Sequence, residues 1–480
     1  MALSLRSLAS DTAVYGLSTI AGRFLTFILT PFYTHYLSGP SEYGHIATIY
    51  AVIAFMNIAY SFGFDTAFMR FYSKDNVGYS QQVYNTAFWS IAGISLSITL
   101  VASLCIIVFP LQLEGIYTSA TTLLLCAAII PFLDALMIIP YAHLRMERRS
   151  KRFALTKFFI IVLNVSLNIL FVGTLHYGAL GVIISGILSS AFGVVLLLPD
   201  MLPWLRLRIS SPLLKDMLKF GLPTVPAAFS TIALQLLDRP IVGILTDSRN
   251  VGIYQANYRL ALPMMMFISV FETAWKPFYL TNAEKPEAKK LFAQVLTIFT
   301  AVCAVIFIIV TLFMSDIVAL PFRGATFIHP QYWSGLHIIP LILAGYWFNG
   351  FYIQFSAGFH ITKQTKYLPI AMGTAAVTTV ILNFALVPQW GITGAAIAMM
   401  LSYCVAACIV LFSARRIYPL DYEWNTIALL IGLALSTFIV FTLFSPLTLL
   451  LKILMGITSI MMISMLLLRK KSLIQLLKRT

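Results

Sequence analysis

The chain has 480 residues, of which 60% are hydrophobic and only 10% charged, with a formal net charge of +15. A soluble domain is roughly a quarter charged, so this composition argues against a soluble enzyme or binding module. The positive balance does not point to nucleic acid either, because the charge is confined to alternate loops of a hydrophobic chain.

Residues 1–12 read as a short cytoplasmic amphipathic lead-in. The apolar run that follows is too long for the core of a cleavable signal and contains Pro31. Crossing about 30 Å of hydrocarbon takes about 20 apolar residues. About fourteen such runs succeed one another, near 13–36, 43–65, 86–109, 116–140, 154–174, 178–199, 220–244, 252–275, 292–314, 337–360, 367–387, 391–414, 424–444 and 447–468. Backbone groups in a bilayer must be satisfied within their own segment, so the runs are expected as helices. Barrel strands would be shorter and would alternate in polarity.

The chain carries an internal duplication. F-D-T-A-F-M-R-F-Y, from Phe64 to Tyr72, returns as F-E-T-A-W-K-P-F-Y, from Phe271 to Tyr279. Leu167-Asn168 with Gly178 and Gly181 returns as Leu382-Asn383 with Gly391 and Gly394, and the loop from Arg148 to Lys151 returns from Lys363 to Lys366. The offsets are about 207 to 215 residues in unbroken order, so one six-helix unit is repeated in the same orientation. The expected organisation is a first lobe over 1–200, a basic surface linker and second lobe over 201–416, and two unpaired spans with a basic tail over 417–480.

Of the 32 Lys and Arg, only Arg249 and Arg323 fall in the odd-numbered loops, while the clusters lie at the ends and in the even-numbered ones. This is the positive-inside pattern, and it places both termini in the cytoplasm. The five cysteines all sit in spans at no metal or redox spacing. The chain has no G-x-x-x-x-G-K-[ST] loop, no H-E-x-x-H and no G-x-S-x-G, so nucleotide hydrolysis, metal binding and enzyme activity are not expected.

An ionised side chain inside a bilayer usually faces protein or water. Arg23 lies about 15 Å into span one at 1.5 Å per residue; Arg239 and Arg259 lie in the outer parts of spans seven and eight. Together these arginines could form a cationic chamber for phosphate, which a planar guanidinium binds through paired donors. Alternatively, Arg239 pairs with Asp238 and Arg259 reaches outward. Asp65 and Glu272 occupy equivalent positions and read as gate carboxylates or as solvated interfacial acids. Asp134 could bind a coupling cation or proton, or form a structural pair with Lys157. Pro31 and Pro240 match across the repeat and read as bends. Amides and aromatics such as Gln255, Asn257, Tyr258, Tyr346 and Trp347 could face sugars or the lipid interface.

The repeated lobes, the two extra spans, L-x-S-D-T-A-V-Y-G-L around Asp11 to Leu17 and L-S-G-P-S-E-Y-G from Leu37 to Gly44 resemble bacterial polysaccharide and O-antigen repeat-unit flippases of the multidrug/oligosaccharidyl-lipid/polysaccharide (MOP) exporter superfamily. The resemblance covers essentially the whole chain. It implies an all-α, polytopic, MATE-like membrane protein of about fourteen helices, with two parallel six-helix lobes and two C-terminal helices, in the bacterial inner membrane. Its cargo would be an undecaprenyl-pyrophosphate-linked oligosaccharide moved from inner to outer leaflet by alternating access, with no cofactor and possible H+ or Na+ coupling. Implied partners are this lipid-linked substrate, membrane lipid, and polymerase and chain-length machinery. The alternatives are a lipid II-type precursor flippase, a cation-coupled multidrug antiporter and, less in keeping with the short outer loops, a polysaccharide polymerase or ligase.

Overall fold

A computed structural model describes residues 22, 24, 27–109, 120–322 and 324–468. Helix α1 covers 27–36. It is followed by α2 (Pro40–Ser61), α3 (Phe64–Phe71), α4 (Val77–Val108), α5 (Ala120–Met146), α6 (Ser150–Asn168) with a π-turn at Ile169–Thr174, and α7 (Gly178–Met201). Then come α8 (Ser211–Gly221), α9 (Val225–Leu236), α10 (Asp238–Leu245), α11 (Ser248–Leu260), α12 (Leu262–Asn282), α13 (Ala288–Ala319), α14 (Ile339–Ile361), α15 (Tyr367–Ile417), α16 (Trp424–Phe444) and α17 (Leu449–Leu468). The only strands among the described residues form a two-residue hairpin, Pro321–Phe322 with Ala325–Thr326. The chain is thus an all-α polytopic membrane protein, in which 11 described helices are long and apolar enough to cross a bilayer.

The remaining expected spans have identifiable reasons for escaping that set. Span one is described only from residue 27. Span eight is broken at Ala261, where Pro263 follows at the start of α12. Spans eleven and twelve merge into α15 across Gly391, whose φ of 54° and ψ of −132° are not helical.

The duplication is written into the backbone as well as the sequence. Arg148 and Lys363, matched by the repeat, both adopt positive φ, 55° and 58°. Each follows a helix and forms the same cap. Arg149 N–H donates to the Leu144 carbonyl at 2.9 Å and Gln364 N–H to the Phe359 carbonyl at 2.9 Å, with Arg148→Arg145 and Lys363→His360 as the inner pair. These are Schellman turns, which satisfy carbonyls that a helix end leaves open. Gly178 and Gly391, also matched, both have φ of 54°.

By compactness the chain divides into two units, 1–256 with 383–392 and 257–382 with 393–480. The division falls inside α11, so α8 to α10 group with the first bundle. In the first unit α5 packs against α2, α4 and α7, and α6 packs against α7. Its core gathers Tyr60, Phe64, Phe68, Tyr84, Phe88 and Ile91 with Ala135 and Leu197. Helices α2 and α11 approach so closely that a Cβ on Gly44 would strike the Ser248 carbonyl and one on Gly252 the Pro40 carbonyl, so neither position accepts a side chain. The linker after α7 is pinned to α4. Asn85 donates to the Trp204 carbonyl at 2.9 Å and accepts from Arg206 N–H at 2.5 Å, while Trp89 Nε1 donates to the Arg206 carbonyl at 2.9 Å.

In the second unit α13 is the central helix, packed against α12, α14, α16 and α17. The two C-terminal helices are joined by Thr437 and Ser459, whose hydroxyls lie 3.0 Å apart. Lys452 of α17 is 6% exposed and donates to Asp316 at 2.6 Å and to Ser315 at 3.0 Å, which fixes α17 to the end of α13.

Candidate functional site: a charged cavity in the first unit

Helices α2, α3, α5, α6, α7 and α9 enclose a cavity of about 640 Å³. Deep in it, Asp134 Oδ1 accepts from Ser190 Oγ at 2.7 Å and Oδ2 from Asn57 Nδ2 at 3.3 Å. Lys157 and Arg145 line the same space, as do Asp65 and Thr66. The sequence favours an Asp134–Lys157 pair, but no carboxylate oxygen lies within 4.0 Å of the Lys157 ammonium among the described residues. The ammonium instead sits 4.3 Å from the centre of the Tyr141 ring. Facing an aromatic quadrupole is a weaker alternative to a carboxylate and leaves its three donors available.

Asp65 lies in the first turn of α3, with its Oδ1 3.3 Å from Thr66 Oγ1, and it lies on the cavity wall. Its repeat partner Glu272 lies exposed on α12 in the second unit. Arg259 ends α11 and is partly buried. Nearby, Asn257 donates to the Tyr332 carbonyl at 2.9 Å and the Tyr258 and Tyr346 rings meet edge-on at 5.8 Å, so these candidate sugar contacts are engaged within the second unit. Arg23 lies outside the described residues.

Arg239 does not line the cavity. It is 2% exposed, and its guanidinium donates to Asp238 at 2.6 Å, to Gln255 Oε1 at 3.0 Å and to the Gln235 carbonyl. The second Asp238 oxygen accepts from Tyr254 Oη at 2.5 Å. A buried ion pair survives desolvation only when its spare donors and acceptors are filled, and here both partners have several. Pro240 follows at once. It has no N–H to offer the Leu236 carbonyl, and the helix is interrupted at Leu237 between α9 and α10. Pro31 lies in α1, where its carbonyl accepts from Thr34 Oγ1 at 2.8 Å.

Sequence reasoning missed Glu42. This carboxylate is 5% exposed and accepts from Ala179 N–H at 2.6 Å and from the backbone and hydroxyl of Ser38, each at 2.8 Å. A negative charge thus closes the N-terminus of α7. Its only signal was the S-E-Y-G at the start of α2; Ala179 is 137 positions away. Arg145 was counted as a topology charge, and Asn57 and Ser190 were ordinary polar residues in spans. Among the described residues no group of His, Cys, Asp and Glu could hold a metal ion.

The fold has solved counterparts. It is similar to the lipid II flippase MurJ in an inward-closed conformation, with a TM-score of 0.75, 16% identity, and coverage of 94% of this chain and 98% of that one. It is also similar to an inward-facing multidrug resistance MATE family transporter of the MOP superfamily, with a TM-score of 0.62, 16% identity and coverage of 85% and 96%. An outward-facing MATE transporter gives 0.55 at 17% identity, covering 88% and 97%. No curated protein sequence matches. At such identities the likeness shows the fold alone. The family model described as polysaccharide biosynthesis protein matches residues 37–320, more than half of the chain, and the chain therefore belongs to that family.

Proposed function

We propose that this protein is a flippase of the bacterial inner membrane, with both termini cytoplasmic, that turns an undecaprenyl-pyrophosphate-linked oligosaccharide repeat unit from the inner to the outer leaflet. The observation that carries this reading is a cavity of about 640 Å³ lined by charged side chains, in a membrane-spanning bundle of a polysaccharide biosynthesis family. A cavity with fixed charges suits a polar headgroup, while the polyprenyl tail stays in lipid. The protein acts as a carrier rather than an enzyme. Arg23 and Arg259 are assigned to the pyrophosphate, and Arg239 joins them by exchanging Asp238 for phosphate. Asp65, Glu272, Asp134, Lys157 and Asp238 are assigned to gating or to H+ or Na+ coupling, and Pro31 and Pro240 to bending as lobes 1–200 and 201–416 alternate access. Polymerase and chain-length machinery would receive the product.

The test is a leaflet assay in vesicles holding purified protein and a lipid-linked oligosaccharide, with Arg23→Ala and Arg23→Lys beside wild type. Turnover by wild type, loss in Arg23→Ala and partial rescue by Lys are expected. No movement of glycolipid combined with export of a cationic dye would replace the flippase reading by the antiporter one.

A further inference from the structure

Several basic side chains around the α5–α6 turn have carboxylate partners. Arg149 and Arg152 bind Asp200, at 2.5 and 3.0 Å, and Lys74 lies 3.9 Å from Glu147. Arg145 and Lys157 differ from these. Both line the cavity, and among the described residues neither has a carboxylate oxygen within 4.0 Å. Each rests on an aromatic face instead. The Lys157 ammonium lies 4.3 Å from the Tyr141 ring centre and the Arg145 guanidinium 5.4 Å from that of Phe153. The two rings pack on each other at 5.0 Å and 67°.

Two cations are therefore held in place by uncharged supports, one on α5 and one on α6, facing one space. A ring attracts a cation less strongly than an anion does where water is scarce, so the arrangement is orientated but electrostatically unfilled. The cavity also contains two buried polar atoms with no hydrogen-bond partner in the protein, Tyr141 Oη and Asn57 Oδ1. Asp134 does not satisfy the cations. It precedes Arg145 by eleven positions, about 16 Å of helix at 1.5 Å per residue. Its oxygens already accept from Ser190 and Asn57.

We propose that Arg145 and Lys157 form a binding site for a phosphate ester, specifically a diphosphate, whose two anionic groups bridge α5 and α6. The proposal rests on the flippase reading and adds to it a diphosphate contact inside the first unit alone. A guanidinium fork and an ammonium with free donors on adjacent helices match two phosphoryl groups better than one. The space of about 640 Å³ exceeds a diphosphate, so the adjoining part of the ligand also enters.

The experiment uses the full chain in phosphatidylcholine nanodiscs and farnesyl diphosphate as probe, with affinity measured by calorimetry. Lys157→Gln and Arg145→Gln are each expected to weaken binding about tenfold, as loss of one charge-assisted contact does. The double variant should weaken it further, Lys157→Arg should keep most of the affinity, and Arg149→Gln, paired with Asp200, should bind as wild type. Inorganic pyrophosphate is expected to displace the probe. Unchanged binding in folded Lys157→Gln and Arg145→Gln overturns this site while leaving the flippase reading standing. Displacement by phosphatidylglycerol as readily as by pyrophosphate assigns the site to bulk anionic lipid and overturns it as well. If wild type binds no polyprenyl diphosphate, both the site and the flippase reading fall.

Discussion

Removal of the Glu42 carboxylate should destabilise the first bundle far more than a loop substitution does. The side chain accepts three hydrogen bonds, from Ala179 N–H, Ser38 N–H and Ser38 Oγ. Hydrogen bonds to a charged group contribute about 1.5–3 kcal/mol each, and a carboxylate at a helix N-terminus adds up to about 2 kcal/mol in a buried setting. Against this stands the cost of burying the charge, several kcal/mol, so the terms do not simply add. Glu42→Ala removes the acceptor and leaves the Ala179 N–H unpaired in a buried site; the net loss is about 3–5 kcal/mol. Glu42→Gln keeps one carbonyl for Ala179 but turns an amide N–H towards the Ser38 N–H, for a loss of about 2 kcal/mol. The assay is unfolding of the purified protein in mild detergent by added dodecyl sulfate, followed by helical circular dichroism. A Glu42→Ala variant within about 0.5 kcal/mol of wild type, the range of ordinary surface changes, would refute the reasoning.

Three further outcomes are expected. Gly391→Ala should cost about 1–3 kcal/mol from backbone strain alone, since nothing lies within 4 Å of the added Cβ; Gly178→Ala should cost more, because there the Cβ strikes the Glu42 carboxylate, and equal losses in an unfolding titration would contradict this. Asp238→Ala and Arg239→Ala should each lose about 3–5 kcal/mol, but the double variant much less than their sum, because each single change strands a buried charge; additivity in the cycle would contradict a coupled pair. Asp316→Ala, which leaves Lys452 unpaired, should destabilise by about 2 kcal/mol, whereas Lys452→Met should be near neutral, and the reverse order on unfolding would contradict the pairing.

The spans and the repeat were legible because hydrocarbon thickness sets segment length and a duplication preserves order. Phe64 to Tyr72 and Phe271 to Tyr279 announce it without any structure. Span interruptions were legible where a residue forces them, as Pro240 does behind Leu237. The Asp238–Arg239 contact was a stated alternative because the two are neighbours in sequence. The role of Glu42 was not legible, since a carboxylate in the first turn of α2 does not reveal that it will meet Ala179. Lys157 is the most instructive case. Charge opposite charge suggested a pair with Asp134, but Lys157 rests on Tyr141, seven positions further along α5, although both charges line one cavity. Arg145 escaped for a different reason. Its orientation signal and its place on the cavity wall use the same charge, and a sequence count registers only the first.

The twin turns at Arg148 and Lys363 set two requirements of the chain against each other. A backbone at φ near 55° favours glycine, and a side chain there costs about 1 kcal/mol or more. Yet both turns carry a cation, and in a chain being threaded into a bilayer such residues hold a loop on the side where synthesis occurs. Glycine at these two positions would relieve the backbone cost and, by the positive-inside rule, remove two orientating charges. If that rule orientates these loops, a search for stabilising substitutions that ignored insertion would select against these two residues first.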